Sequence, residues 1–229
     1  MEKKTTGIIW LRKDFRTIKN DALIYASKNH EKVCVLYIYK KKEFLNRTAQ
    51  RWWLFQSLKN FKNKLNQFNI PLEIIESDSY KVGFEKILKK ENFSIYWNKI
   101  YEPHFLSFDE KISSHLKLKN INFKIFKGNL LNEANEIKKN DNTPFKVFTP
   151  FWKTAEKYYL DKGFQKNEKI KSKLKKTKFL NQSINIETIL PDKKWPKKFE
   201  KLWNPSEDEA IKKIKKFIKD ELPDYGENR

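Results

Sequence analysis

The chain has 229 residues, 38% of them hydrophobic and 15% aromatic, which is the composition of a globular protein with a sizeable core and not of a disordered one. Its formal charge of +21 permits a polyanionic partner, but all except five of the 50 basic side chains are lysines spread along the chain, so charge alone assigns none. Cys34 is the single cysteine, which excludes an internal disulfide; with no long apolar run and no signal-peptide pattern at the N-terminus, the expectation is a cytoplasmic protein without membrane contact.

In chain order, residues 7–11, 33–39, 72–75, 94–97 and 123–126 read as strands. Their unbroken apolar character, as in Val-Cys-Val-Leu-Tyr-Ile-Tyr at 33–39, fits parallel strands covered on both faces. Helical patterns fill the intervals at 21–27, 48–68, 80–90 and 108–118. The second is the clearest, because Leu54, Leu58, Phe61, Leu65 and Phe68 recur at helical spacing. Strands alternating with helices predict an α/β fold: a five-stranded parallel, doubly wound, Rossmann-like sheet with helices on both faces, occupying 1–160.

At 143–152, Thr-Pro-Phe-Lys-Val-Phe-Thr-Pro-Phe-Trp carries two prolines and five large apolar side chains. It is predicted to be irregular, and its aromatic surface must be buried against its own domain, another domain or a ligand. Residues 161–202, lysine-rich and then interrupted by Pro191 and Pro196, read as a linker. A helix follows in 203–229, started by Asn-Pro-Ser-Glu-Asp-Glu at 204–209. Its stripe of Ala210, Ile211, Ile214, Phe217 and Ile218 lies opposite Lys212, Lys213, Lys215, Lys216 and Lys219, and should pack on the α/β domain or on something further.

Several chemistries lack their residues. Five scattered glycines form neither Gly-x-Gly-x-x-Gly nor a Walker loop, which argues against nicotinamide-dinucleotide and P-loop sites. There is no Gly-x-Ser-x-Gly, His-Glu-x-x-His or paired-cysteine pattern; His30, His104 and His115 are scattered, and Cys34 falls inside a strand as a core residue. Ligands of an open α/β sheet bind beyond the C-terminal strand ends. The loops at 10–16 (Trp-Leu-Arg-Lys-Asp-Phe-Arg) and 97–103 (Trp-Asn-Lys-Ile-Tyr-Glu-Pro) are therefore the candidate binding loops, with Arg12, Asp14, Arg16, Tyr101 and Glu102 as polar or stacking groups.

These two loops, with Asn-Asp-Ala-Leu at 20–23, Arg-Trp-Trp-Leu-Phe-Gln-Ser-Leu at 51–58, Gly-Asn-Leu-Leu-Asn-Glu at 128–133 and the 143–153 segment, occur in the order found in the DNA photolyase/cryptochrome family. The chain resembles that family nearly end to end, and most closely the bacterial photolyases that repair cyclobutane pyrimidine dimers. It departs at Lys19, where the family usually has an acidic residue, at His104-Phe105, where some folate-binding members have Asn-Glu, and at Phe108-Asp109, where the family has Arg-Asp.

The resemblance implies an N-terminal antenna domain, in which Arg12, Tyr101 and Glu102 border a light-harvesting folate (methenyltetrahydrofolate) or deazaflavin. It implies FAD as the redox cofactor, bound mostly by a helical half of which 203–229 resembles the start. By pattern, Tyr225 would contact FAD and Arg229 the DNA backbone. A chain of this kind is expected to be a truncated or split photolyase, inactive in repair by itself, whose partners are dimer-containing DNA and a separately encoded FAD-binding half. A stand-alone chromophore- or nucleotide-binding module and a cryptochrome-like signalling fragment remain as alternatives.

Overall fold

The computed structural model describes residues 5–133, 135–162, 168–172, 174–191 and 196–226. Strands β1 (Thr6–Leu11), β2 (Val33–Tyr39), β3 (Leu72–Glu76), β4 (Phe93–Asn98) and β5 (Phe123–Phe126) form one sheet in the order β3-β2-β1-β4-β5. Every pairing is parallel, with Ile8 opposite both Cys34 and Ile95. The order reverses at β1, so the chain departs in opposite directions from the neighbouring ends of β1 and β4 and leaves a crevice there.

Alternate strand residues feed two cores. Ile9, Leu11, Val35 and Tyr37 pack under helices α1 (Asp21–Asn29) and α2 (Thr48–Asn66). Ile8, Trp10, Leu36 and Trp97 pack under α3 (Tyr80–Ile87) and α4 (Pro103–Leu118). The helical stripe of α2 behaves as its spacing predicts, with Leu54, Leu58, Phe61 and Leu65 all buried. Asn20 and Ser79 start α1 and α3 by accepting backbone N–H bonds from Leu23 and Val82.

Helix α4 begins five residues before its expected start, because Pro103 sits at its first position, where a missing N–H costs nothing. The same physics corrects the reading of 143–152. Helix α5 (Phe148–Lys162) begins inside that segment, with Pro150 in its first turn. Two of its aromatics are left largely uncovered: Phe148 is 70% exposed and stacks on half-exposed Trp152, with ring centroids 6.3 Å apart.

The stretch expected to be a linker packs against the sheet domain at several points between 170 and 190. Ile170, Leu174, Ile186 and Ile189 join the core under α1 and α2, and Leu180 joins the other core. The Lys175 amide donates to the Glu31 carbonyl just before β2. The strap then follows the free edge of β3: the Ile184 amide donates to the Ile74 carbonyl and the Ile74 amide to Ser183 Oγ. Buried Glu73 receives the amides of Phe179 and Leu180 at 2.8 and 2.5 Å. Beyond it, Arg51 on α2 donates to the carbonyls of Thr188, Ile189 and Leu190. An otherwise open sheet edge is thereby closed. Helices α6 (Lys197–Leu202) and α7 (Glu207–Asp220) follow.

Removing the Glu73 carboxylate would strand two amides against the sheet. Glu73→Ala is expected to lower the unfolding free energy by about 2–3 kcal/mol, read from urea melts. Unchanged stability would show that the strap is not held through this residue.

Candidate functional site

The crevice at β1 and β4 is organised around Asn98, the last residue of β4. Its side-chain carbonyl accepts from the Ala22 amide at 3.1 Å. Its amide donates to Asn20 Oδ1 at 2.8 Å and to the Asp14 carboxylate. Its backbone carbonyl receives Arg12 Nη2 at 2.5 Å. One buried side chain thus ties the loop after β1, the start of α1 and the end of β4.

Behind it lies an ion pair. Arg12 Nη1 meets Asp109 Oδ1 at 2.7 Å, with the two side chains 1% and 6% exposed, and the guanidinium lies 4.4 Å from the Trp10 ring centroid. Burial pushes the Asp109 carboxyl up from its ordinary value while Arg12 opposes the shift. Breaking such a pair on one side leaves a buried charge uncompensated, a loss of about 3–5 kcal/mol. Arg12 is therefore a buried support and does not line the crevice.

Tyr101 does line it. Its hydroxyl donates to Glu133 Oε1 at 2.6 Å and accepts the Gly128 amide at 3.1 Å, while Lys99 holds the other Glu133 oxygen at 3.0 Å. Burial, reinforced by Glu133, pushes the hydroxyl up to about 12, so it stays protonated as a donor. Residue 128 has to be glycine for this approach: a Cβ there would come within 2.0 Å of the Lys99 carbonyl oxygen. Glu102, at the mouth, is half-exposed and bridges to Lys13 across the opening, an interaction that lowers its pKa.

These loops form one side of a cleft of about 1560 Å³. Its other sides are α2, through Trp53, Asn60 and Phe61, and the segment 203–214 leading into and along α7. Trp53 and Trp203 are both half-exposed, with ring centroids 5.8 Å apart. Asp14 and Arg16 supply charge at the floor. The cleft therefore offers flat aromatic walls, amide groups and both signs of charge, the surroundings a conjugated ring system with polar substituents requires.

Of the residues singled out from sequence, Tyr101 and Glu102 come together in the cleft and Arg12 stands behind it. Tyr225 does not line it: half-exposed, it contacts Phe217 of α7 edge-on at 5.9 Å. Arg229 lies outside the described residues. The sequence reading passed over Asn98, Asn60, Trp53 and Glu133 as site residues, although Asn98 falls within the 97–103 motif and its position at a strand's end was the available signal. No group of three metal-ligating side chains occurs among the described residues, and no described helix is long and apolar enough to cross a membrane.

A family model, DNA photolyase, matches residues 7–174. The deoxyribodipyrimidine photo-lyase of Agrobacterium fabrum is 29% identical over 230 residues, which is 99% of this chain and 47% of that protein. Cryptochrome-2 of Arabidopsis thaliana is 30% identical over 158 residues, covering 67% of this chain and 25% of that protein. Among solved structures, a bacterial class III photolyase from Agrobacterium tumefaciens superposes with a TM-score of 0.82 at 28% identity, over 100% of this chain and 48% of that one. The chain thus spans about half the length of the photolyases it matches.

Asp14 gives the site a pH signature. Burial raises its carboxyl above the ordinary 3.8, against the hydrogen bond from Asn98. The native state then binds the proton more tightly than the unfolded chain, so this contribution to stability is fully present below 3.8 and is lost as pH rises through the raised native value. Asp14→Asn should flatten the pH dependence of urea stability in that window, gaining on the parent as pH rises. A difference independent of pH would rule out a raised Asp14.

Proposed function

The chain belongs to the DNA photolyase family, and from that premise we propose that it is the N-terminal, antenna-carrying part of a light-driven flavoprotein that repairs cyclobutane pyrimidine dimers in DNA. The observation that carries the reading is the aromatic cleft at the sheet's switch point, built from the same loops that carry the family motifs. Residues 1–160, closed by the strap that follows them, form the antenna domain in this reading, and 203–229 lead into a flavin-binding half.

The residues present fit an antenna chromophore, a folate or a deazaflavin. Trp53, Tyr101 and Trp203 supply ring faces; Asp14 and Asn60 can read polar ring edges; Arg16 offers a cation to an anionic substituent. When bound, the chromophore supplies absorption in the near-ultraviolet or violet. The protein's part is to keep the ring flat and away from water, with Tyr101 held as a neutral donor by Glu133 and Gly128.

FAD has less support from this chain. Tyr225 is its only candidate contact among the described residues, half-exposed in the turns that follow α7. We therefore assign flavin and lesion binding to the other half, with dimer-containing DNA and that half as partners. A second reading, a cryptochrome-like signalling fragment, draws on the 30% identity to Arabidopsis cryptochrome-2.

The test is purification, titration with methenyltetrahydrofolate and with a deazaflavin, and a photorepair assay with and without a separately expressed flavin-binding half. One chromophore should remain bound through gel filtration, and repair should require the second half. Dimer repair by this chain alone would overturn the assignment; a stable complex without repair would favour signalling.

A further inference from the structure

Helix α7 is amphipathic and touches the rest of the molecule mainly through its first turn. Ile214 and Ile218 are 58% and 53% exposed, and no α7 side chain is buried. Its N-terminal end is nevertheless fastened in two directions. Towards α2, Asp208 meets Lys64 at 2.6 Å, and Asn60 Nδ2 donates at 3.1 Å to Asn204 Oδ1 and to the Pro205 carbonyl. Towards the loop after β1, the Glu207 carboxylate receives the Thr17 amide at 2.9 Å on each oxygen, the Thr17 hydroxyl at 2.7 Å and the Ile18 amide at 2.8 Å.

The Glu207 contact is unlike an ordinary first-turn acid. Such a residue complements its own helix dipole, whereas Ser206 already caps α7 by accepting from the Glu209 amide. Glu207 instead leaves its helix and closes on a pair of amides 189–190 residues earlier in the chain. That loop also carries Asp14, Phe15 and Arg16 of the cleft floor, and the helix carries the opposite wall. Floor and wall therefore meet in one carboxylate.

We propose that Glu207 is a positioning residue whose clamp on Thr17 and Ile18 holds α7 as a wall of the cleft and so sets how tightly, and in what orientation, the cleft holds its chromophore. The proposal rests on the cleft being the chromophore site. Charge-assisted hydrogen bonds to main-chain amides are strong and directional, so their loss loosens the wall on which Glu207 itself stands, and faster amide exchange at Thr17 and Ile18 is the mark of that loosening. Because α7 leads towards the flavin-binding half in the family reading, the same clamp ties the position of the light absorber to that half. Binding and docking are then linked reciprocally: a chromophore that needs the wall in place also stabilises the wall.

Five proteins test this: the parent, Glu207→Gln, Thr17→Val, the double variant of these two, and Glu200→Gln, which removes the same charge on α6 away from the cleft. Each is titrated with methenyltetrahydrofolate and with a deazaflavin, followed by absorbance and by the circular dichroism induced in the chromophore band. Amide exchange at Thr17 and Ile18 is measured without ligand. Glu207→Gln should speed that exchange, weaken binding about tenfold and diminish the induced band. Thr17→Val should weaken binding less and add little to Glu207→Gln in the double variant, while Glu200→Gln should match the parent. Parent-like affinity and dichroism in Glu207→Gln would overturn the proposal while leaving the chromophore reading intact. No binding of either chromophore by the parent would overturn both.

Discussion

The architecture depends on how the chain leaves β1 and β4. Parallel strands present their C-terminal ends side by side, and at the point where strand order reverses the two following connections must diverge. The exposed backbone groups there have to be satisfied locally. Asn98 does this with four hydrogen bonds, and the buried Arg12–Asp109 pair holds its carbonyl from behind. The interior is thus polar at this end of the sheet, and that polar point fixes the loops that make the cleft. Most of its groups are paired, with Arg12 Nε left without a partner among the described residues, because each unpaired group at this depth is costly.

The sheet and its four covering helices were legible in the sequence because both signals are periodic. Continuous runs such as 33–39 leave little but a strand buried on both faces, and the α2 stripe leaves little but a helix. The strap at 168–191 was not legible. Its buried side chains, Ile170, Leu174, Leu180, Ile186 and Ile189, are single apolar residues among lysines, without a period. What holds it is mostly main chain meeting Glu73, Ile74 and Arg51, and such contacts leave no pattern in composition. Helix α5 was missed for a different reason, since Pro150 stops a helix only beyond its first turn.

At the site, the motif loops were legible but the roles within them were not. A buried arginine and a ligand-binding arginine look alike in sequence, and only the partnership with Asp109 places Arg12 in the support. Likewise, the acidic start of α7 read as a match to its dipole. The geometry shows Glu207 reaching across to Thr17 and Ile18, which makes the far end of the described chain part of a cleft founded near its beginning. The uncovered aromatics of α5 and the exposed stripe of α7 sit on a body whose own core is already well filled.

The central claim is a place: a conjugated chromophore between Tyr101, Trp53 and Trp203, over the loop that Asn98 anchors. A crystal structure of the chain grown with methenyltetrahydrofolate or a deazaflavin tests it most directly. The account predicts ring density in that cleft, with the Glu207 clamp closed. Density on another face of the sheet, or a chromophore seated with α7 turned away, would contradict it.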